Sequence, residues 1–145
     1  MHPVQILAEV KSDFKMDKQI YIIHENDEWV VPLREELKKI NAPYKEWHMG
    51  RDKIDFSNIP PNGVFYNRMS ASSHTRGHRY APEDTKVVLN WLENHNRRII
   101  NNSKALKLEI SKQIQYQELK KHNIRFPKTF FCKDKNSLLE NSNNF

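Results

Sequence analysis

The chain has three glycines and one cysteine among its 145 residues, and no apolar run nears the ~20 residues a membrane-spanning helix needs. Three glycines are too few to form a phosphate-binding P-loop or a dinucleotide fingerprint. A lone Cys132 excludes an internal disulfide and a thiolate-based zinc site, and it fits a reducing compartment. The opening residues, MHPVQILAEVKSDF, lack a basic n-region and a long apolar h-region. No secretory signal is expected, and the expected location is the cytoplasm. Acidic residues are also in deficit, 18 against 24 lysines and arginines, giving a net charge of +6 and a pI near 9.4. That balance favours anionic partners and says nothing about fold. With 37% hydrophobic and 29% charged residues, the chain is polar but able to bury one core.

Hydrophobic periodicity organises the rest. Residues 1–18 carry no clear period and read as a loose leader. QIYIIH (19–24), YKEWHM (44–49), GVFYN (63–67), RRIIN (97–101) and KTFFC (128–132) read as strands. Helices are predicted near 31–41, 82–95 and 104–122. The first opens at Pro32 and carries Glu35 and Glu36 early and Lys38 and Lys39 late, as the helix dipole prefers. The second opens at Pro82, and Ser103 is the expected cap of the third. Strands alternating with helices predict an α/β domain: a three-layer, mostly parallel sheet of about five strands over residues 19–132. Residues 133–145, rich in Asn and Ser, are expected to be poorly ordered.

The chemistry concentrates in NRMSASSHTRGHRY, residues 67–80. This acid-free loop runs from the third strand into the second predicted helix. It carries Arg68, Arg76 and Arg79, the imidazoles of His74 and His78, and hydroxyls that include Ser70 and Ser73. In open α/β sheets ligands bind outside the carboxyl ends of strands, where helix N-termini also attract anions. Forked guanidiniums suit carboxylate or phosphate. The loop is therefore a candidate anion site, weighed against a plain solvated basic loop. The expected arrangement has Arg68 and at least one of Arg76 and Arg79 facing one cleft, together with Ser70, Ser73 and the Pro82 helix.

On a helix running 104–122, Lys112 falls within an apolar stripe of Leu108, Tyr116 and Leu119. It is either a snorkelling side chain or an ammonium at a cleft rim. His24 and Glu25 close the first strand at the same carboxyl edge. His74 and His78 are four apart, but Gly77 between them argues against one helical face, and no metal site is expected.

Three stretches, IYIIHENDEWVVPLREEL, GVFYNRMSASSHTRGHRYAPE and RRIINNSKALKLEISKQIQYQEL, together resemble the amino-terminal part of ATP-grasp carboxylate–amine ligases of the RimK and glutathione-synthetase type. The resemblance covers roughly residues 19–131. Its most specific part runs from Ser103 to Phe131, where IRFPKTFF carries Ile124, Pro127 and Thr129 in an I-x-x-P-x-T passage. It implies a Rossmann-like pre-ATP-grasp domain that helps hold a small carboxylate or amino-acid-like substrate. It also implies that Lys112 matches the family's phosphate-touching lysine. In the full-length family a carboxylate is phosphorylated by ATP with Mg2+ and then coupled to an amine. The nucleotide-binding lobes are missing after Phe131, so the fragment is expected to be inactive alone and to bind neither ATP nor Mg2+ tightly. A separately encoded ATP-grasp half is the implied partner. The rival reading is a small basic module for RNA or acidic protein, which the lack of an aromatic stacking strand disfavours. No membrane partner is expected.

Overall fold

The structure, a computed structural model, describes residues 19–142. The predicted leader, residues 1–18, lies outside the described residues. The described chain divides into two units, one ending at Ile110 and the other beginning at Ser111.

The first unit is an α/β sandwich around a four-stranded, all-parallel sheet in the order β2-β1-β3-β4. The strands are β1 (Ile20–His24), β2 (Tyr44–His48), β3 (Val64–Asn67) and β4 (Arg98–Ile100). Strand β1 is central and all but its first residue is buried, as the β-branched run IYIIH suits a strand covered on both faces. Its side chains alternate between two cores. Tyr21 and Ile23 join Phe65, Val88, Leu89, Leu92 and Leu106 on one face. Ile22 joins Val30 and Leu37 on the other, with Ile20, Leu33 and Tyr44 packed against them. Helix α1 (Asp27–Lys39) supplies the second core, and α2 (Ala81–Asn94) and α3 (Ser103–Ile110) supply the first. Three layers result.

Helix α1 begins five residues before Pro32. Asn26 is its true cap, with Oδ1 accepting from the amides of Glu28 (3.0 Å) and Trp29 (3.1 Å), and Asp27 and Glu28 fill the first turn. Capping and an acidic first turn outweigh the one hydrogen bond that Pro32 forgoes inside the helix. At α3 the cap is Asn102, whose Oδ1 accepts from Lys104 and Ala105, while Glu93 accepts from the Ser103 amide at 3.0 Å.

The predicted 104–122 helix is two helices. Ser111 adopts extended backbone (φ −131°, ψ 103°) and caps α4 (Lys112–Lys121) by accepting from the Ile114 amide at 3.3 Å. A serine that bonds the backbone ahead of it competes with helix continuation, which is the reason for the break. In this second unit, residues 128–132 form no strand despite the β-prone sequence KTFFC, and the sheet of the described residues has four strands rather than five. Residues 135–142, expected to be poorly ordered, form helix α5 (Lys135–Ser142), which buries no side chain. No helix among the described residues is long and apolar enough to cross a membrane.

Candidate functional site

The strand order reverses between β1 and β3, because the chain goes from β1 to one neighbour and then crosses to the other side. In open α/β sheets ligands bind at the carboxyl end of such a switch. There the loops after β1 and β3 meet. Glu25, almost fully buried, accepts two hydrogen bonds from Arg76, Nε to Oε2 at 3.1 Å and Nη2 to Oε1 at 2.5 Å. Arg76 also donates to Ser72 Oγ (3.1 Å) and lies 4.8 Å over the Trp29 ring. The pairing raises the Arg76 pKa further above its ordinary range, chiefly through the bond to Glu25. A guanidinium this well satisfied is a brace between the two loops. It is not a free anion ligand.

Beside this brace opens a cavity of about 370 Å³, lined by Trp29, Asn67, Arg68, Ser70, Asn101 and Glu109 among others. Arg68 is exposed, with its guanidinium 5.7 Å from the Tyr66 ring and one long contact to the Tyr66 hydroxyl (3.4 Å). No acidic side chain pairs with it among the described residues. The floor is fixed by a reciprocal amide lock: Asn67 Nδ2 donates to the Asn101 carbonyl (2.9 Å) and Asn101 Nδ2 to that of Asn67 (3.1 Å). Ser70 Oγ meets Ser72 Oγ at 3.0 Å, linking the cavity back to Arg76.

The other basic-loop residues go elsewhere. Residues 71–76 wind into a 3-10 turn that Gly77 ends in the left-handed region at φ 82°, a conformation that glycine adopts without strain. The turn buries Ser73 completely, and its hydroxyl has no partner. It leaves His74 exposed, where Nδ1 donates to the Ala71 carbonyl at 3.1 Å. Arg79 lies against Tyr80 and lines a second cavity of about 270 Å³ with His78, Ala81 and Asp84. Arg68 and Arg79 therefore line different cavities, and the N-terminus of α2 lines the second rather than the first. Of the residues expected to share one cleft, Arg68 and Ser70 do so. In the second unit, Lys112 is exposed and donates to Gln115 Oε1 at 3.0 Å. The break at Ser111 removes the continuous winding on which its apolar stripe depended.

A second cluster occupies the β1–β2 half of the edge. Parallel register sets His24 opposite His48, with ring centroids 5.1 Å apart, and His78 packs edge-on to His48 at 5.2 Å. Both strand histidines are buried. His24 Nε2 bonds Glu46 Oε2 at 2.9 Å, and Arg34 clamps Glu46 through Nε (2.7 Å) and Nη2 (2.6 Å). Arg34 holds the Glu46 carboxyl below the usual range. Asp27 bonds Arg51 (2.7 and 3.1 Å) and Arg34 (3.1 Å), the Arg51 bond being the main reason that its pKa falls to about 2. Burial, and then the nearby Arg51 and His24, push the His48 pKa down, so this ring is neutral at pH 7. Donor atoms of His24, Asp27 and His48 all lie within 4.8 Å of one another. The sequence pointed to His24 and Glu25 but missed Asp27, Arg34, Glu46 and His48. The available signal was a histidine closing each of two strands that pair in parallel.

No protein-family model, curated protein or solved structure matches the chain.

Proposed function

We propose that this chain is the substrate-side domain of an ATP-dependent carboxylate–amine ligase, holding an amino-acid-like substrate in the cavity at the β1–β3 switch. The observation that carries the reading is that an arginine without an acidic partner, Arg68, and a carboxylate, Glu109, line the same cavity at a topological switch point. A zwitterion complements that pair: Arg68 offers a fork to the substrate carboxylate and Glu109 meets the ammonium group. Arg76 does not compete for substrate, because Glu25 satisfies it.

The ligase half of the reading rests on the resemblance of residues 19–131 and on apolar exposure in the second unit. Ile124, Phe131, Leu138 and Leu139 are all more than half exposed, as a surface covered by a separately encoded ATP-grasp half would be. The described residues do not fit ATP and Mg2+ by themselves. Lys112 bonds Gln115, and the chain's glycines, at positions 50, 63 and 77, form no glycine-rich lid. Phosphorylation of the carboxylate is therefore assigned to the partner half, and this chain binds and orients the substrate.

The test is an NMR titration of the full chain with free amino acids and with the same amino acids blocked as N-acetyl or amide derivatives, read at the Trp29 indole. Free zwitterions are expected to bind, with both blocked forms weaker. Arg68→Ala removes a charge-assisted contact worth about 1.5–3 kcal/mol, roughly a 10- to 150-fold loss of affinity. Lys38→Ala, on an exposed helix position, changes nothing. Equal binding of free and blocked forms, or no binding at millimolar concentration, refutes the proposal.

A further inference from the structure

We infer that His24, Asp27 and His48 form a binding site for a zinc-class divalent cation at the carboxyl edge of β1 and β2. Two independent observations converge on it. The first is the cluster itself, two imidazoles and a carboxylate with donor atoms within 4.8 Å of one another, a set that suits borderline metal ions. The second is an orphaned donor atom. Glu46 is an ionised carboxylate clamped by Arg34, so it only accepts hydrogen bonds, and His24 Nε2 must donate to it. The ring nitrogen left over, Nδ1, is buried and has no partner, and it is the atom that can offer a lone pair to a cation. A buried lone pair backed by a carboxylate on the opposite ring nitrogen is the arrangement that orients histidine ligands of metals.

Two features resist occupation. Donors bound to a tetrahedral ion at 2.0–2.1 Å sit roughly 3.4 Å apart, so the three groups must close inward. His48 Nδ1 accepts from the Gly50 amide at 3.1 Å, and using either ring nitrogen disturbs that bond. Arg51 holds both oxygens of Asp27, but its side chain is 58% exposed and free to swing away. Cation binding thus exchanges one positive charge for another at Asp27. Three protein ligands leave a four-coordinate ion one open position.

The test uses the full chain, stripped with chelator and titrated with zinc by calorimetry, with cobalt absorption and amide NMR alongside. One equivalent of zinc is expected per chain, with an intense visible cobalt band and a stoichiometric shift of the Gly50 amide. His48→Gln and Asp27→Asn should abolish the cobalt band. Glu46→Gln, which touches no metal, should weaken zinc by about 10- to 100-fold. Arg51→Ala should tighten binding by freeing Asp27 Oδ2, with Oδ1 still bonded to Arg34, an outcome that a merely structural cluster would not produce. His122→Gln, an exposed histidine outside the cluster, should leave affinity unchanged. The inference is overturned by the absence of stoichiometric zinc binding, by loss of binding in His122→Gln, or by Gly50 failing to respond. It is overturned equally if Arg51→Ala fails to tighten binding.

Discussion

Removing the guanidinium of Arg76 separates a brace from a ligand-binding arginine. Glu25 keeps 1% of its side chain in solvent and Arg76 25%, so Arg76→Ala strands a carboxylate where water cannot reach it. Breaking a buried pair by deleting one partner costs about 3–5 kcal/mol, and the open flank of Arg76 places this case toward 3. Loss of the stack on Trp29 adds about 0.5–1 kcal/mol. Against a total stability of about 5–15 kcal/mol for a domain, the effect is large and readable by urea unfolding. The double variant Glu25→Gln with Arg76→Ala removes the stranded charge and should recover part of the loss, giving a clear coupling in the mutant cycle. Arg76→Met keeps much of the volume and serves where the alanine variant folds poorly. If Arg76→Ala costs less than about 0.5 kcal/mol, as an ordinary surface change does, and the cycle shows no coupling, the brace is refuted. Arg76 would then be another solvated loop arginine.

Three further outcomes are expected. Calorimetry of the isolated chain with Mg2+ and ATP should show weak binding or none, since one exposed lysine cannot replace a lid and a metal site; micromolar affinity would refute the division of labour with a partner half. In metal-free protein, stability should fall as pH drops from about 5 toward 2. Asp27 and Glu46 have folded pKa values below their unfolded ones, so their contribution is present above the unfolded pKa and lost on protonation through the folded one. Arg34→Gln should flatten that limb, and an unchanged pH profile would show the clamp to be inert. Gly50→Ala should displace the His78 ring, because a Cβ there collides with it; an unshifted His78 resonance would contradict the packing.

The sheet was legible because its strands announce themselves. IYIIH and GVFYN carry β-branched and aromatic runs that only a doubly covered strand would bury, and the intervening helices force parallel pairing. KTFFC carried the same local signal and formed no strand, because pairing is a non-local property that five residues cannot specify. Pro32 misled the start of α1 by its good fit to a first helical position, although Asn26 with two acidic residues behind it was the stronger cap. In the basic loop, composition showed the charge but not where it would be neutralised. Glu25 lies 51 residues from Arg76 in sequence, and only the β1–β3 pairing brings them together. His48 stayed hidden for the same reason, since strand register sets it opposite His24, and Asp27 joins the pair from the first turn of α1.

This neutralisation weighs for a small-ligand site and against a basic RNA module. Nucleic-acid binding needs a field of unpaired cations along one face, and affinity then falls steeply with salt. At this carboxyl edge Arg76 is matched by Glu25, Arg51 by Asp27, and Arg34 by both Asp27 and Glu46. At the opposite, amino end of the sheet, before β4, Arg97 is turned to the Pro60 carbonyl, with bonds of 3.1 and 2.6 Å. The formal charge of +6 therefore does not gather at the edge where a ligand would bind. What remains there among the described residues is two exposed arginines in separate cavities, Arg68 with Glu109 and Arg79 with Asp84, and a cation set with a carboxylate in each suits a small ligand bearing both signs better than a polyanion. Small-ligand binding should accordingly fall only modestly with salt between 50 and 200 mM, whereas an RNA module making 6–10 phosphate contacts would lose about 10³–10⁵ in affinity over the same range. A steep salt dependence that survives Arg68→Ala would overturn the assignment and restore the polyanion reading.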